Sequence, residues 1–152
     1  MRLGILSDSH RDTGRLSNAL MHMEADGPVD ALLFLGDGYN DIHALNVELP
    51  AVYQVSGNCD MFVSRPRQVV ELGGRTIFMT HGHYYDVKKR YDILAAAAKQ
   101  QGASIALFGH THRQYAQEYD GILLINPGAV CSGQFAVLTL GEQGETEVRF
   151  YN

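Results

Sequence analysis

Apolar residues along the chain come in short runs, each closed by a polar tip. Positions 2–6, Arg-Leu-Gly-Ile-Leu, predict a short buried strand. Leu16, Ala19, Leu20 and Met23 recur at helical spacing, so 15–24 predicts a helix with one apolar stripe, ended by Gly27-Pro28. Positions 31–35 are a second apolar strand, 40–49 a short helix closed by Pro50, and 51–55 a third strand. Strands alternating with helices imply βαβ crossovers and a parallel sheet.

The second half changes character. Runs at 67–72 and 75–80 flank Gly73-Gly74, runs at 113–119 and 122–126 flank Asp120-Gly121, and runs at 134–140 and 146–152 flank Gly141 to Gly144. Each is a hairpin signal. A helix is predicted over 91–101, with Gly102 after it, and a buried strand over 104–108. Two sheets packed face to face, with helices outside, accommodate both halves.

At 152 residues the chain fits one domain, 1–152, with a core large enough to fold alone. No apolar run approaches about 18 residues, so no membrane span is expected. The apolar part of the start is too short for a signal peptide. Two cysteines, Cys59 and Cys131, suggest no disulfide framework, and a cytoplasmic setting is expected. The net charge of −5 argues against a broad basic face for long duplex nucleic acid. It leaves room for a small phosphate ester held by cations, since two divalent ions would bring the total to about −1.

Polar residues capable of chemistry fall just past the strand ends. They are Ser7-Asp8-Ser9-His10, Gly36-Asp37, Ser56-Gly57-Asn58, His81-Gly82-His83, Gly109-His110-Thr111-His112 and Asn126-Pro127-Gly128. In open α/β sheets, ligands bind beyond the carboxyl ends of the strands. Five of the seven histidines belong to this set; His22 and His43 lie in helical stretches. Imidazole with carboxylate suits Mn, Fe, Zn, Co or Ni. Each piece alone is weak, because Gly-Asp and Gly-Asn are usually turns. The conjunction, in order and at strand ends, is specific.

The successive motifs SDSH, LGDG, SGNCD, THGH and FGHTH, followed by NPGA, resemble those of the calcineurin-like metallophosphoesterases, and within them the compact YfcE-like phosphodiesterases. The resemblance runs from Asp8 to about Gly128. It implies an α/β/β/α sandwich of two mixed sheets with outer helices and a two-metal site at the strand C-terminal rim. By motif, one divalent ion falls to Asp8, His10 and His112, the other to Asn58, His81 and His110, with Asp37 bridging. Mn is the first expectation for both. The implied reaction is phosphodiester hydrolysis by a hydroxide shared between the ions, with Asp37 and Asn58 the residues nearest the chemistry. A homo-oligomer is a further expectation carried over from the family.

Cys59 stands where many members have histidine. A thiol is a weak donor and lacks the charge of an imidazolium, so packing as a small apolar residue is the expectation. Without that acid the enzyme should prefer diesters with good leaving groups. His83 is either a substitute acid or phosphate contact, or a residue that orients a neighbour. Arg11 either touches phosphate or faces solvent, and Asp60 either orients a ligand or caps a turn. Two other functions compete with the phosphodiesterase. One is a protein-interaction scaffold, as in the retromer subunit of this fold. The other is a nuclease for short oligonucleotides.

Overall fold

Strand β1 (Arg2–Leu6) is buried along its interior, and every residue of β2 (Ala31–Phe34) is buried as well. Such continuous apolar runs belong to strands covered on both faces. The computed structural model describes all 152 residues. After β1 and β2 come β3 (Ala51–Gln54), β4 (Arg67–Leu72), β5 (Arg75–Thr80), β6 (Ile105–Leu107), β7 (Gln114–Tyr119), β8 (Ile122–Pro127), β9 (Phe135–Leu140) and β10 (Thr146–Tyr151). The helices are α1 (Thr13–Asp26), α2 (Asp41–Ala44) and α3 (Asp92–Gln100).

Two five-stranded mixed sheets result, ordered β10-β9-β1-β2-β3 and β4-β5-β6-β8-β7. In the first, β1, β2 and β3 run parallel, as their alternation with helices requires. The C-terminal hairpin does not stay with its sequence neighbours. It returns to the first sheet, where β9 lies antiparallel to β1, with Leu3 opposite Leu138 and Ile5 opposite Ala136.

Side-chain alternation then separates three apolar layers. Leu3, Ile5 and Leu33 of the first sheet meet Ile77, Met79, Leu107 and Ile125 of the second. On the outer face of the first sheet, Leu6, Leu32 and Phe34 pack on Leu16, Ala19 and Met23 of α1. On the outer face of the second, Phe78, Ala106 and Leu124 pack on Leu94, Ala95 and Ala98 of α3. The architecture is the expected α/β/β/α sandwich.

Helix boundaries differ from the sequence expectation in two places. Helix α1 starts two residues early because Asp12 caps it, its side chain accepting from Arg15 N at 3.0 Å. Helix α2 stops at Ala44 instead of reaching position 49. Beyond it the backbone is extended at Leu45, and both Leu45 and Leu49 pack on the α1 layer. Pro50 also disfavours helix at the residue before it.

Candidate metal centre

The strand ends of both sheets converge on one rim. Asp8 and His10 follow β1, Asp37 follows β2, Asn58 to Asp60 follow β3, His81 follows β5, and His110 and His112 follow β6. Asp8, Asp37 and His81 are buried, whereas His10 and His112 are exposed. Two buried carboxylates within one site are expensive unless cations or hydrogen bonds compensate them.

The donors fall into clusters. Asp8, His10 and His112 each place one ligand atom within 4.8 Å of the others, and so do Asp37, His81 and His110. Within the first cluster, Asp8 Oδ1 lies 3.0 Å from His112 Nε2 and 3.5 Å from His10 Nε2. The two imidazole Nε2 atoms are themselves 3.3 Å apart. Asp37 lies between the clusters, its Oδ2 3.3 Å from His81 Nε2 and 3.8 Å from His10 Nε2. A third grouping joins His10, Asp37 and Cys59.

The buried donors fit a divalent cation. His81 Nδ1 is 2.7 Å from the Leu35 carbonyl, which fixes the ring with a proton on that nitrogen. Its Nε2 is buried, lacks a well-directed hydrogen-bond partner and faces the carboxylates. A histidine held through one nitrogen and offering the other to carboxylate-rich space is the arrangement of a metal ligand. Burial works against a charged His81, but Asp37 and Asp8 outweigh it and raise its pKa. Burial also pushes the Asp37 carboxyl up, yet His81 and the Cys59 N–H overcome that and hold it far below the carboxylate range. His110 is lowered to about 4, first by burial and then by the charges of His81 and Lys88. It therefore stands neutral at pH 7, with a lone pair to offer.

The backbone is bent to make this convergence. Asp8, His10, Asp37, His110 and His112 all have positive φ, between 47° and 68°. Each left-handed non-glycine residue costs about 1–2 kcal/mol, and such strain concentrates at functional sites. Hydrogen bonds hold the bends. Asp60 accepts four backbone N–H groups, from Asp37 at 2.8 Å, Gly57 at 2.7 Å, and Gly38 and Tyr39 at 2.9 Å each. Asp41 accepts from the Ser9 hydroxyl and from Arg11 N, the latter at 2.8 Å, and so secures the segment that carries His10. Asn126 donates to Gly109 O at 2.9 Å and to Thr111 Oγ1 at 3.0 Å, securing the histidine loop. Two glycines serve by smallness: a Cβ at Gly57 would overlap the Asp37 carboxylate, and one at Gly109 would overlap Ser7 and Asp8.

A match to the calcineurin-like phosphoesterase superfamily domain spans residues 1–142. The chain belongs to that superfamily. It is 31% identical to the probable metallophosphoesterase YsnB of Bacillus subtilis over 159 aligned positions, covering 100% of this chain and 91% of the relative. It is 26% identical to the phosphodiesterase MJ0936 of Methanocaldococcus jannaschii, covering 93% of this chain and 91% of that protein. The solved structure of Vps29 from Chaetomium thermophilum superposes with a TM-score of 0.75 over 99% of this chain and 95% of that one. At 19% identity that likeness speaks for the fold alone.

Asn58 is exposed, its amide nitrogen donating to Cys59 Sγ at 3.4 Å. His83 is half-buried with its Nδ1 unpartnered, and its ring centroid lies 5.5 Å from that of His81 and 6.1 Å from that of His110. Burial and then the His81 charge lower its pKa, so the metal-free protein holds it neutral at pH 7. Arg11 is exposed and shares a cavity wall with His10 and Asp37.

The expectation for Cys59 is corrected. It does not pack as a small apolar residue; it is exposed and its sulfur faces the His10–Asp37 pair. The reason is a contact between distant residues: its own N–H donates to Asp37 Oδ1 at 2.8 Å, which pins the residue at the rim. Burial and the Asp37 carboxylate raise its pKa, so it remains a thiol. Of the two readings of Asp60, the orienting one holds, since it fixes the loop that carries Asp37; the positioning roles of Asp41 and Asn126 were not assigned from sequence. Their one sequence-level signal is an acidic or amide residue beside a glycine-containing strand-end loop.

Proposed function

We propose that the protein is a divalent-metal-dependent phosphodiesterase with a dinuclear site. The observation that carries this reading is the pair of donor clusters with Asp37 between them, set around a buried and unpaired His81 nitrogen. Asp8, His10 and His112 would hold one ion. His81, His110 and the Asn58 amide oxygen would hold the other, and Asp37 would be shared. Mn is the first candidate, with Fe, Zn, Co and Ni compatible with mixed nitrogen and oxygen donors. When bound, such ions activate water near neutral pH and offset charge on phosphoryl oxygens.

The chain's own residues do the rest. Asp60, Asp41 and Asn126 keep the ligand loops in register before substrate arrives, so that little reorganisation accompanies reaction. Arg11 lines the cavity beside His10 and Asp37, and a guanidinium suits a contact with a phosphate oxygen there. Neither Cys59, held as a thiol, nor neutral His83 supplies a strong acid. The substrate should therefore be a small ester whose departing oxygen needs little protonation. The unpaired cysteines fit a reducing cytoplasm.

The test is hydrolysis of bis(p-nitrophenyl) phosphate by metal-stripped protein with and without added Mn²⁺. Turnover should require the metal and fall by about a hundredfold or more in Asn58→Ala, the scale seen when one electrostatic contact to the reacting group is lost. The diester should also outpace p-nitrophenyl phosphate; a faster monoester would show that an acid acts after all. The exposed Met61, Phe62 and Tyr84 favour a second reading, a protein-interaction scaffold. That reading takes over if metal binds and no ion among Mn, Fe, Zn, Co and Ni yields turnover.

A further inference from the structure

A cavity of about 400 Å³ opens beside the His10–Asp37 pair. Its wall continues from these two residues through Arg11 and Cys59 to Met61 and Phe62. The volume lies within the usual small-molecule range of about 300–1,000 Å³. Its three carboxylates, Asp37, Asp41 and Asp60, each accept backbone N–H groups, and Arg11 is the one arginine or lysine on its wall. The far wall is apolar in an unusual way. Met61 is 73% exposed and Phe62 fully exposed, and both belong to the segment 55–66 that joins β3 to β4. Phe62 also has φ of 76°, a true outlier for a bulky side chain. The loop is held in this shape from behind, by the four hydrogen bonds to Asp60 and by Val63 N donating to Asp60 O at 3.4 Å. The ring is thus displayed at the mouth of a cavity that begins at the candidate metal ligands, with nothing of this chain covering it.

We propose that this cavity receives the organic group of the phosphate ester, that it takes an aromatic ring, and that Phe62 determines that specificity by stacking. The proposal rests on the phosphoesterase reading above. A phosphate seated on the two clusters and contacted by Arg11 would direct one ester substituent along this wall toward Phe62. Aromatic faces stack on one another with little demand on ring identity.

The experiment measures binding without turnover, using phosphonates whose carbon–phosphorus bond the site does not hydrolyse. Mn²⁺-loaded protein is titrated calorimetrically with phenylphosphonate and methylphosphonate. The wild type should prefer the phenyl compound about tenfold, and the preference should fall to about twofold or less in Phe62→Gly. Glycine is chosen because it accepts the positive φ. Phe62→Trp should restore the preference. A second pair, the 5′-phosphonate analogues of adenosine 5′-monophosphate and of ribose 5-phosphate, identifies the ring. Loss of preference there in Phe62→Gly marks a nucleobase, whereas loss only with the phenyl and methyl pair marks an aryl ester.

No phenyl preference in the wild type, or an equal one in Phe62→Gly, overturns the ring subsite. If diester hydrolysis persists in that case, the phosphodiesterase reading stands without it. If neither phenylphosphonate nor methylphosphonate binds the loaded protein, the ring subsite fails, and the phosphodiesterase reading fails with it only if diester hydrolysis is absent too.

Discussion

Asp60 shows how much one side chain can organise. Its two oxygens each take two backbone N–H groups, tying the loop after β2 to the loop after β3. No hydrophobic residue could replace it, because four donors would lose their partner at once. Asp60→Ala should destabilise the protein by about 2–4 kcal/mol in urea unfolding, and should weaken metal binding by loosening Asp37. Wild-type stability and metal affinity in this variant would refute the role. Cys59 teaches the complementary lesson. From sequence its small apolar character suggested burial, and a backbone hydrogen bond to Asp37 decided otherwise. Side-chain chemistry is visible in a sequence; the direction in which the backbone turns it is not.

Among the elements, α1 is the best determined by its own residues. Its apolar stripe, the Asp12 cap and the Gly27 exit are all local. It also sits unusually close to its sheet: a Cβ at Gly4 would lie 2.7 Å from Met23 Sδ and 2.8 Å from Leu32 Cδ2. The C-terminal end of α1 carries a clasp. The Asp26 carboxylate accepts from Arg2, Arg149 and the Tyr151 hydroxyl, joining the helix to β1 and β10. The Tyr151 hydrogen bond chiefly lowers the Asp26 pKa below 3.8, with the two arginines adding to it against partial desolvation. A carboxyl whose folded pKa is depressed stabilises the fold above its unfolded pKa, and that stabilisation is lost as pH falls through the folded value. Asp26→Asn should therefore melt lower than wild type at pH 7, and the gap should begin to narrow as pH falls below about 4. Thermal scans at pH 7 and pH 3 check this; an unchanged gap would mean that the clasp is not electrostatic. Helix α2 is the opposite case, a segment whose helical pattern lost to the burial of Leu45 and Leu49 in extended chain.

At the scale of the whole molecule, the site exists only because the two sheets face each other. The first supplies Asp8, His10, Asp37 and Asn58 from its strand ends, and the second supplies His81, His110 and His112. A cation held across that seam would bind the folded state alone. Excess metal at about 100 times its Kd should add about 2.7 kcal/mol, which raises Tm by roughly 5–10 °C for a domain of this size. Chelator should reverse the shift, and Asp37→Asn, which weakens both clusters, should abolish most of it. A Tm indifferent to Mn²⁺, Zn²⁺ and chelator would argue against a bound cation. The sequence by itself determined the strands, the hairpins, the long helices and the inventory of donors at strand ends, because periodicity, turn chemistry and residue type act over a few neighbours. Only the tertiary structure decided that β9 returns beside β1, that α2 ends early and that Cys59 faces the rim. It also decided that Asp41, Asp60 and Asn126 hold the ligand loops and that Phe62 stands bare at the mouth of a cavity. Those outcomes depend on contacts between residues far apart in the chain, and no local pattern encodes which distant backbone N–H a carboxylate will reach.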